Sequence, residues 1–191
     1  MTDWPRIQSA LDAGDVVLLP TETVYGLAAK ANNSGAVSKI YAIKGRDFDK
    51  PLAVCVRNID QARDIAEFDK ISLRLAEKHW PGSLTLVLSL RKDANLDPRV
   101  TSNIQGLRTV ALRCPEANWR RHIDTPLALT SANRSGEPDC VSYQAAMEEL
   151  GDDIAASLGT DAPLSGAPST VLRVDAGKFT VLRQGALKVT P

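Results

Sequence analysis

Pro20-Thr21-Glu22-Thr23-Val24-Tyr25-Gly26-Leu27, preceded by Val16-Val17-Leu18-Leu19, is the stretch on which the reading of this chain turns. The apolar run has the length and composition of a buried strand bounded by turn residues. A strand that ends in Pro and then sets two Thr hydroxyls, a carboxylate, a phenol and a Gly side by side is not building core. In an α/β sheet, polar groups at the carboxyl end of a strand line a ligand crevice. The same residues also suit a capped turn into a helix, with Thr and Glu satisfying free amides. Local chemistry leaves both readings open.

Outward from this stretch, strand and helix signals alternate. Asp3 is a candidate cap for a helix that carries Ile7, Ala10 and Leu11 at helical spacing until Gly14 stops it. Val16–Pro20 reads as a strand, and Ser34–Ile43 as a short helix with Val37, Ile40 and Tyr41 inward. Leu52–Val56 is strand-like, and Asp60–Phe68 and Asp69–Trp80 read as two helices, the second ended by Pro81-Gly82. Leu84–Leu90, Thr109–Arg113 and Leu127–Thr130 are strand candidates, and Ser142–Leu150 is a capped helix stopped by Gly151. Thr170–Val174 and Lys178–Arg183 suit a closing hairpin across Ala176-Gly177. The alternation predicts an α/β layered fold, with helices covering a largely buried, mixed sheet. No repeat or linker divides the chain, so residues 1–191 are expected to form one domain, with 186–191 as a loose tail.

Composition narrows the function. The chain has 191 residues, 43% hydrophobic and 24% charged, enough to bury a core. Its formal net charge is zero, which argues against binding nucleic acid through bulk charge. The N-terminus shows no secretory signal, and no apolar segment approaches the roughly 20 residues that span a membrane. Cys55, Cys114 and Cys140 are odd in number and far apart, which suits buried, reduced thiols in a cytoplasmic protein.

Familiar catalytic motifs are missing: there is no phosphate-binding Gly-x4-Gly-Lys-Ser/Thr loop, no Gly-x-Gly-x-x-Gly fingerprint and no Gly-x-Ser-x-Gly elbow. His79 and His122 are the only histidines and stand in no metal spacing, so neither zinc nor an organic prosthetic group is expected. His79 reads as the basic end of a helix. What remains is a scatter of cations and small polar groups at strand ends: Lys44-Gly45-Arg46, Lys50, Arg113, Ser131-Ala132-Asn133, Ser169 and Arg183. Each alone also reads as an exposed loop or an ordinary Asn/Gly turn. Together they describe a concave site for a polyanion that also recognises a small polar molecule.

In order along the chain, these residues resemble the motifs of the YrdC-like family, whose members make L-threonylcarbamoyladenylate for modification of transfer RNA. The resemblance is carried by Pro20–Leu27; by Lys44 and Arg46 with Lys50-Pro51-Leu52; by Pro81-Gly82-Ser83-Leu84-Thr85; and by Arg113-Cys114-Pro115. Ser131 and Asn133 with Ser135-Gly136, then Pro168-Ser169-Thr170-Val171 and Arg183-Gln184-Gly185, complete it, so that it covers about residues 5–185. Two departures stand out. Relatives often carry a His near the position of Cys55, on the amino-acid side of the pocket, and a Ser-Pro where this chain has Asp139-Cys140.

The resemblance implies a single-domain form with a twisted mixed sheet and helices packed around a large concave cavity. It implies condensation of L-threonine, bicarbonate and ATP to threonylcarbamoyl-AMP and pyrophosphate, a nucleotidyltransferase reaction for which ATP would carry Mg²⁺ and the protein would hold no metal of its own. By the same resemblance, Lys44, Arg46 and Arg183 would face ATP phosphates, with Lys50 as a further candidate, and Ser131 and Asn133 would contact phosphate or ribose. Thr23, Thr109, Arg113 and Ser169 would form the threonine side, Arg113 pairing the carboxylate. Expected partners are tRNA and a downstream threonylcarbamoyl-transferase. Two alternatives remain: a double-stranded RNA or tRNA-binding module, and a carbamoyl-adenylate step as in hydrogenase maturation proteins.

Overall fold

Residues 3–160, 162 and 164–189 are described by the structure, a computed structural model. Among the described residues ten strands form one mixed sheet. In chain order they are β1 (Val17–Pro20), β2 (Tyr25–Lys30), β3 (Ala53–Cys55), β4 (Leu84–Ser89), β5 (Thr101–Ile104), β6 (Leu107–Arg113), β7 (Leu127–Ser131), β8 (Ala156–Ser157), β9 (Thr170–Asp175) and β10 (Lys178–Arg183). In space they run β10-β9-β4-β6-β3-β7-β2-β1-β8, with β5 paired to β6. β3/β6, β4/β9 and β1/β8 are parallel, and the other pairs antiparallel.

The helices are α1 (Trp4–Asp12), α2 (Ser34–Lys44), α3 (Ile59–Arg63), α4 (Lys70–His79) and α5 (Tyr143–Leu150). Asn33, Asn58, Asp69 and Ser142 cap α2, α3, α4 and α5 through their side chains, each accepting from free first-turn amides. Asp3 stands at the cap position of α1 but makes no such bond, and Pro5 starts that helix instead.

Side chains alternate across a strand, and that alternation builds two different faces. Leu18, Leu27, Val54, Leu86, Leu112, Ala128 and Leu172 point to one face and join a single core with Val37 and Ile40 of α2, Ala76 of α4 and Leu150 of α5. Fully burying each Leu or Ile there contributes about 1.5–3 kcal/mol. The intervening positions Val17, Leu19, Ala28, Cys55 and Leu127 face the other way, into a smaller core with Trp4, Ile7 and Leu11 of α1 and with Trp119. Beyond this second core the same face carries Gly26, Ala53, Thr85, Ala111 and Arg113, which line an open cavity. Gly26, Ala53 and Ala111 are small and leave the space that larger apolar side chains fill elsewhere.

Three expectations are corrected and one hairpin is added. Pro20–Leu27 is neither a strand end alone nor the entry to a helix. Thr21–Val24 turn the chain back so that Pro20 pairs with Tyr25, and β2 continues to Lys30. The Thr21 hydroxyl holds that turn, accepting from the amides of Thr23 and Val24 and donating to the Val24 carbonyl at 2.7 Å. The helix expected over 60–68 is the single turn of α3. Ile65–Glu67 then run beside the end of β4, where Glu67 N donates to Ser89 O and Arg91 N to Ile65 O. β5 makes a hairpin with β6 through Gln105-Gly106, both at positive φ. Of the expected tail, Leu187 and Val189 pack against the main core, and the Thr170 hydroxyl donates to Leu187 O; residues 190–191 lie outside the described residues. The Ala176-Gly177 hairpin forms as expected, with both residues at positive φ.

Candidate active site

The cavity on the open face measures about 320 Å³. Its cationic groups come from three distant segments: Arg46 after α2, Arg113 at the end of β6 and Arg183 at the end of β10. Thr23, Ser131 and Ser169 join them on the wall. Six of the ten sequence-predicted site residues are therefore neighbours across 160 residues of chain. A larger hollow of about 540 Å³ lies behind the Thr21–Glu22 turn and contains none of the ten. Chemistry rather than size singles out the smaller one.

Arg113 is 7% exposed and forms an ion pair with Glu22, Nη2 to Oε1 at 2.8 Å, while the same nitrogen donates to the Thr23 hydroxyl. Glu22 is itself held by the Ser83 hydroxyl and the Glu116 amide. Arg113 Nε is buried without a hydrogen-bond partner. A buried guanidinium donor left unsatisfied is destabilising by about 1–3 kcal/mol until an acceptor meets it. Opposite, Arg183 donates to the Ser169 carbonyl through Nε and Nη2, and the Ser169 hydroxyl lies 2.8 Å from the Thr85 hydroxyl. Burial, with Arg113 close by, pushes the Arg183 pKa down, against the pull of Asp139. Arg46 is fixed by donating to the carbonyls of Lys50 and Pro51, with Tyr41 Oη 3.0 Å from the same Lys50 carbonyl.

The other four predicted residues stand off the cavity wall. Lys44 is buried, and its ammonium donates to Ser131 O, Asn133 O and Asn133 Oδ1 at 2.6, 2.5 and 2.9 Å. An ammonium has three protons, so all of its donors are engaged. Asn133 in turn accepts from the Ser131 hydroxyl and donates to the Glu137 carbonyl. Lys44 and Asn133 thus form a buried knot that shapes the Ser131 turn from behind. Lys50 is exposed and paired with Asp47. Thr109 shares a face with Ala111 and Arg113 but sits at the start of β6, near the Ser102 hydroxyl.

Glu22, Thr85 and Asp139 stand in the sequence motifs without an assigned role, yet the structure brings Thr85 and Asp139 to the cavity and Glu22 to Arg113. Thr85 had a signal: a lone hydroxyl among Leu84, Leu86, Val87 and Leu88. Glu22 had its place in the polar Pro20–Leu27 stretch, but only the fold brings it to Arg113. Cys55, Cys114 and Cys140 are free and buried. Cys55 sits in the second core, two residues beyond the cavity-lining Ala53. Burial raises its pKa, and raises those of Cys114 and Cys140 to about 11, which keeps all three as thiols near neutral pH.

Burial, reinforced by Arg46, lowers the Lys44 pKa from 10.5 to about 8. The unfolded chain then binds more protons than the folded one between these values, so the contribution of Lys44 to stability rises with pH from about 8 to 10.5. The difference in urea midpoint between wild type and Lys44→Met is expected to shift in favour of wild type from pH 7.5 to pH 10. An unchanged difference would show that Lys44 titrates normally.

A mixed α/β sheet carries on its open face an arginine-rich, hydroxyl-lined cavity whose charge suits a small anion. The chain belongs to the Sua5/YciO/YrdC family, whose model, described as telomere recombination, matches residues 9–185. It is 39% identical to the threonylcarbamoyl-AMP synthase of Bacillus subtilis over 97% of this chain and 55% of that one. It is 30% identical to the Photobacterium profundum enzyme of the same name, over 97% of this chain and 100% of that one. The crystal structure of Pyrococcus abyssi Sua5 complexed with L-threonine superposes with a TM-score of 0.85 at 33% identity, covering 94% of this chain and 53% of that one. The chain thus spans about half the length of the Bacillus and Pyrococcus relatives.

Proposed function

We propose that the chain is an L-threonylcarbamoyladenylate synthase, a nucleotidyltransferase that condenses L-threonine, bicarbonate and ATP to threonylcarbamoyl-AMP and pyrophosphate for modification of tRNA. The observation that carries this reading is the cavity itself. Arg113 presents a buried, unpartnered Nε on one side, and Arg46, Arg183 and the Ser131 turn stand around it. The names of the relatives and the threonine bound to the Pyrococcus protein support the same reading.

The amine of threonine adds to bicarbonate-derived carbon dioxide to give a carbamate. One carbamate oxygen then attacks the α-phosphorus in line, and pyrophosphate leaves with the P–O bonding pair. This work is orientation and charge stabilisation and needs no protein nucleophile. Arg113, with its Nη2 already engaged by Glu22 and Thr23, offers Nε to the threonine carboxylate. Thr23 and Ser169, on the cavity wall, would take the hydroxyl and amine of threonine, with Thr109 a further candidate on the face of β6 that carries Arg113. Arg46 and Arg183 face the phosphates, with Lys50 in reach from its exposed loop and Ser131 contacting phosphate or ribose. We assign Lys44 and Asn133 to holding the Ser131 turn rather than to direct phosphate contact, because the donors of Lys44 are already engaged.

Among the described residues no three metal-binding side chains converge, so Mg²⁺ would enter on the phosphates with at most a single carboxylate from the cavity wall. It would supply charge neutralisation there. The product is a mixed anhydride that water also attacks, so a transferase must take it to tRNA. No helix among the described residues is long and apolar enough to cross a membrane, and we place the reaction in the cytoplasm.

The test is pyrophosphate release from ATP by the purified protein with threonine and bicarbonate each supplied or omitted. Release is expected only when both are present, with a product of threonylcarbamoyl-AMP mass. Release indifferent to threonine would sink the proposal.

A further inference from the structure

One carboxylate faces the cavity alongside the arginines. Asp139 lines it with Arg46, Arg183 and Ser131. It is not on a free loop, because the next residue, Cys140, is buried and its carbonyl accepts from the Tyr25 amide of β2 at 2.9 Å. Among the described residues the Asp139 carboxylate has no hydrogen bond or ion pair of its own, although it is near enough to Arg183 and Lys44 to favour their charged forms.

The rest of the cavity calls for an anion. Arg113 is more than nine-tenths buried and its Nε lacks an acceptor. A polyphosphate drawn in by the arginines would meet Asp139 as a like charge. In the partly desolvated cavity such a contact is repulsive. A divalent cation between the two reverses the sign, and Mg²⁺ is commonly held by one or two carboxylates plus substrate phosphates, keeping several waters.

We propose that Asp139 is the protein ligand for the divalent cation that accompanies the nucleotide, so that this chain takes up its nucleotide as the metal complex and discriminates against the metal-free form. The inference rests on the nucleotide reading above. It also assigns Asp139 a role distinct from that of a counter-ion for Arg183, since a counter-ion would weaken metal-free and metal-bound nucleotide alike.

The experiment is calorimetric titration of the full chain with ATP, without threonine, once in EDTA and once in excess Mg²⁺, for wild type, Asp139→Asn and Asp139→Ser. Wild type is expected to bind the magnesium complex about ten-fold more tightly than free ATP, the size of one charge-assisted contact. Both variants should lose most of that ratio and bind free ATP more tightly than wild type does. The electron paramagnetic resonance spectrum of Mn²⁺–ATP should be perturbed by wild type and much less by either variant. A ratio unchanged in both variants, or a gain that is equal with and without metal, overturns the inference and leaves the nucleotide reading standing. Failure of wild type to bind ATP in either buffer overturns both.

Discussion

Arg113→Ala is expected to lower kcat/KM for threonine about a hundred-fold, roughly 2.7 kcal/mol of transition-state stabilisation, while leaving KM for ATP within about two-fold. The asymmetry follows from where the guanidinium is anchored. Nη2 is committed to Glu22 and Thr23, which fixes the plane of the group, and Nε is the buried donor left for a substrate carboxylate. Arg183 and Arg46 are held by other carbonyls, Ser169 on one side and Lys50 and Pro51 on the other, and do not depend on that pair. Truncation also strands Glu22, whose side chain is 18% exposed and which keeps Ser83 and the Glu116 amide. Losing one partner of a buried pair destabilises by 3–5 kcal/mol; the remaining bonds and partial exposure of Glu22 put the expected loss at about 2 kcal/mol. Arg113→Lys should restore most of the stability but little of the threonine use, since an ammonium cannot replace the planar fork. Steady-state kinetics with each substrate varied in turn, beside a urea titration, separates the two effects. Equal losses in the threonine and ATP parameters would refute the placement of Arg113 on the threonine side.

Glu22 also marks the limit of what the sequence made legible. Strands with strong patterns were readable: Val16–Pro20, Leu84–Leu90, Thr109–Arg113 and the Ala176-Gly177 hairpin lie within a residue or two of where their composition puts them. β2 was not, because Tyr25-Gly26-Leu27-Ala28-Ala29-Lys30 has too few β-branched residues to announce a strand. It owes its place to pairing with β1 and β7, and Gly26 shows how close that pairing is. A Cβ there would lie 2.8 Å from Leu129 Cδ1 and 3.1 Å from the Thr130 carbonyl. β5 and β8, with Thr101–Ile104 and Ala156–Ser157, are short edge additions whose existence depends on their neighbours. The cationic members of the site were legible because Arg113 at the end of an apolar strand is costly without an anion. Which of those residues meet was not. Lys44 and Arg46 are two positions apart, yet one turns inward to the Ser131–Asn133 backbone and the other lines the cavity. That division follows from Lys44 ending α2 with its side chain buried and Gly45 at φ 59 redirecting the chain. Local sequence alone carries no distance between Lys44 and residues 131–133, so the assignment of phosphate contact to Lys44 had no means of detecting that its donors were engaged.

Gly185→Ala is the second change expected to be severe, and it acts through backbone alone. A Cβ at this position would lie 2.1 Å from the Pro168 carbonyl oxygen and 2.5 Å from the Ser169 carbonyl carbon. Neither neighbour is the tip of a flexible side chain, so the Gly185 and Pro168–Ser169 segments must separate locally. The approach is held by Gly185 N donating to the Thr170 hydroxyl and by Ala186 N donating to Pro168 O. Arg183, two residues earlier, grips the Ser169 carbonyl, so the displaced segment carries two cavity-wall residues with it. Forcing extra atoms into a packed site is destabilising by about 1–3 kcal/mol, and a backbone clash falls at the upper end. The variant is expected to melt about 6 °C or more below wild type, with shifts of about 2–4 °C per kcal/mol for a chain of this size. Kinetically it should differ from Arg113→Ala, because Ser169 stands on the threonine side and Arg183 on the phosphate side of the proposed site. KM for both substrates should rise together, at temperatures well below the melting transition. Thermal unfolding followed by kinetics at 15 °C checks both halves. A variant with wild-type melting temperature would mean that the Pro168–Ser169 segment moves aside without resistance, and the rigid wall on which the placement of Arg183 and Ser169 depends would have to be abandoned.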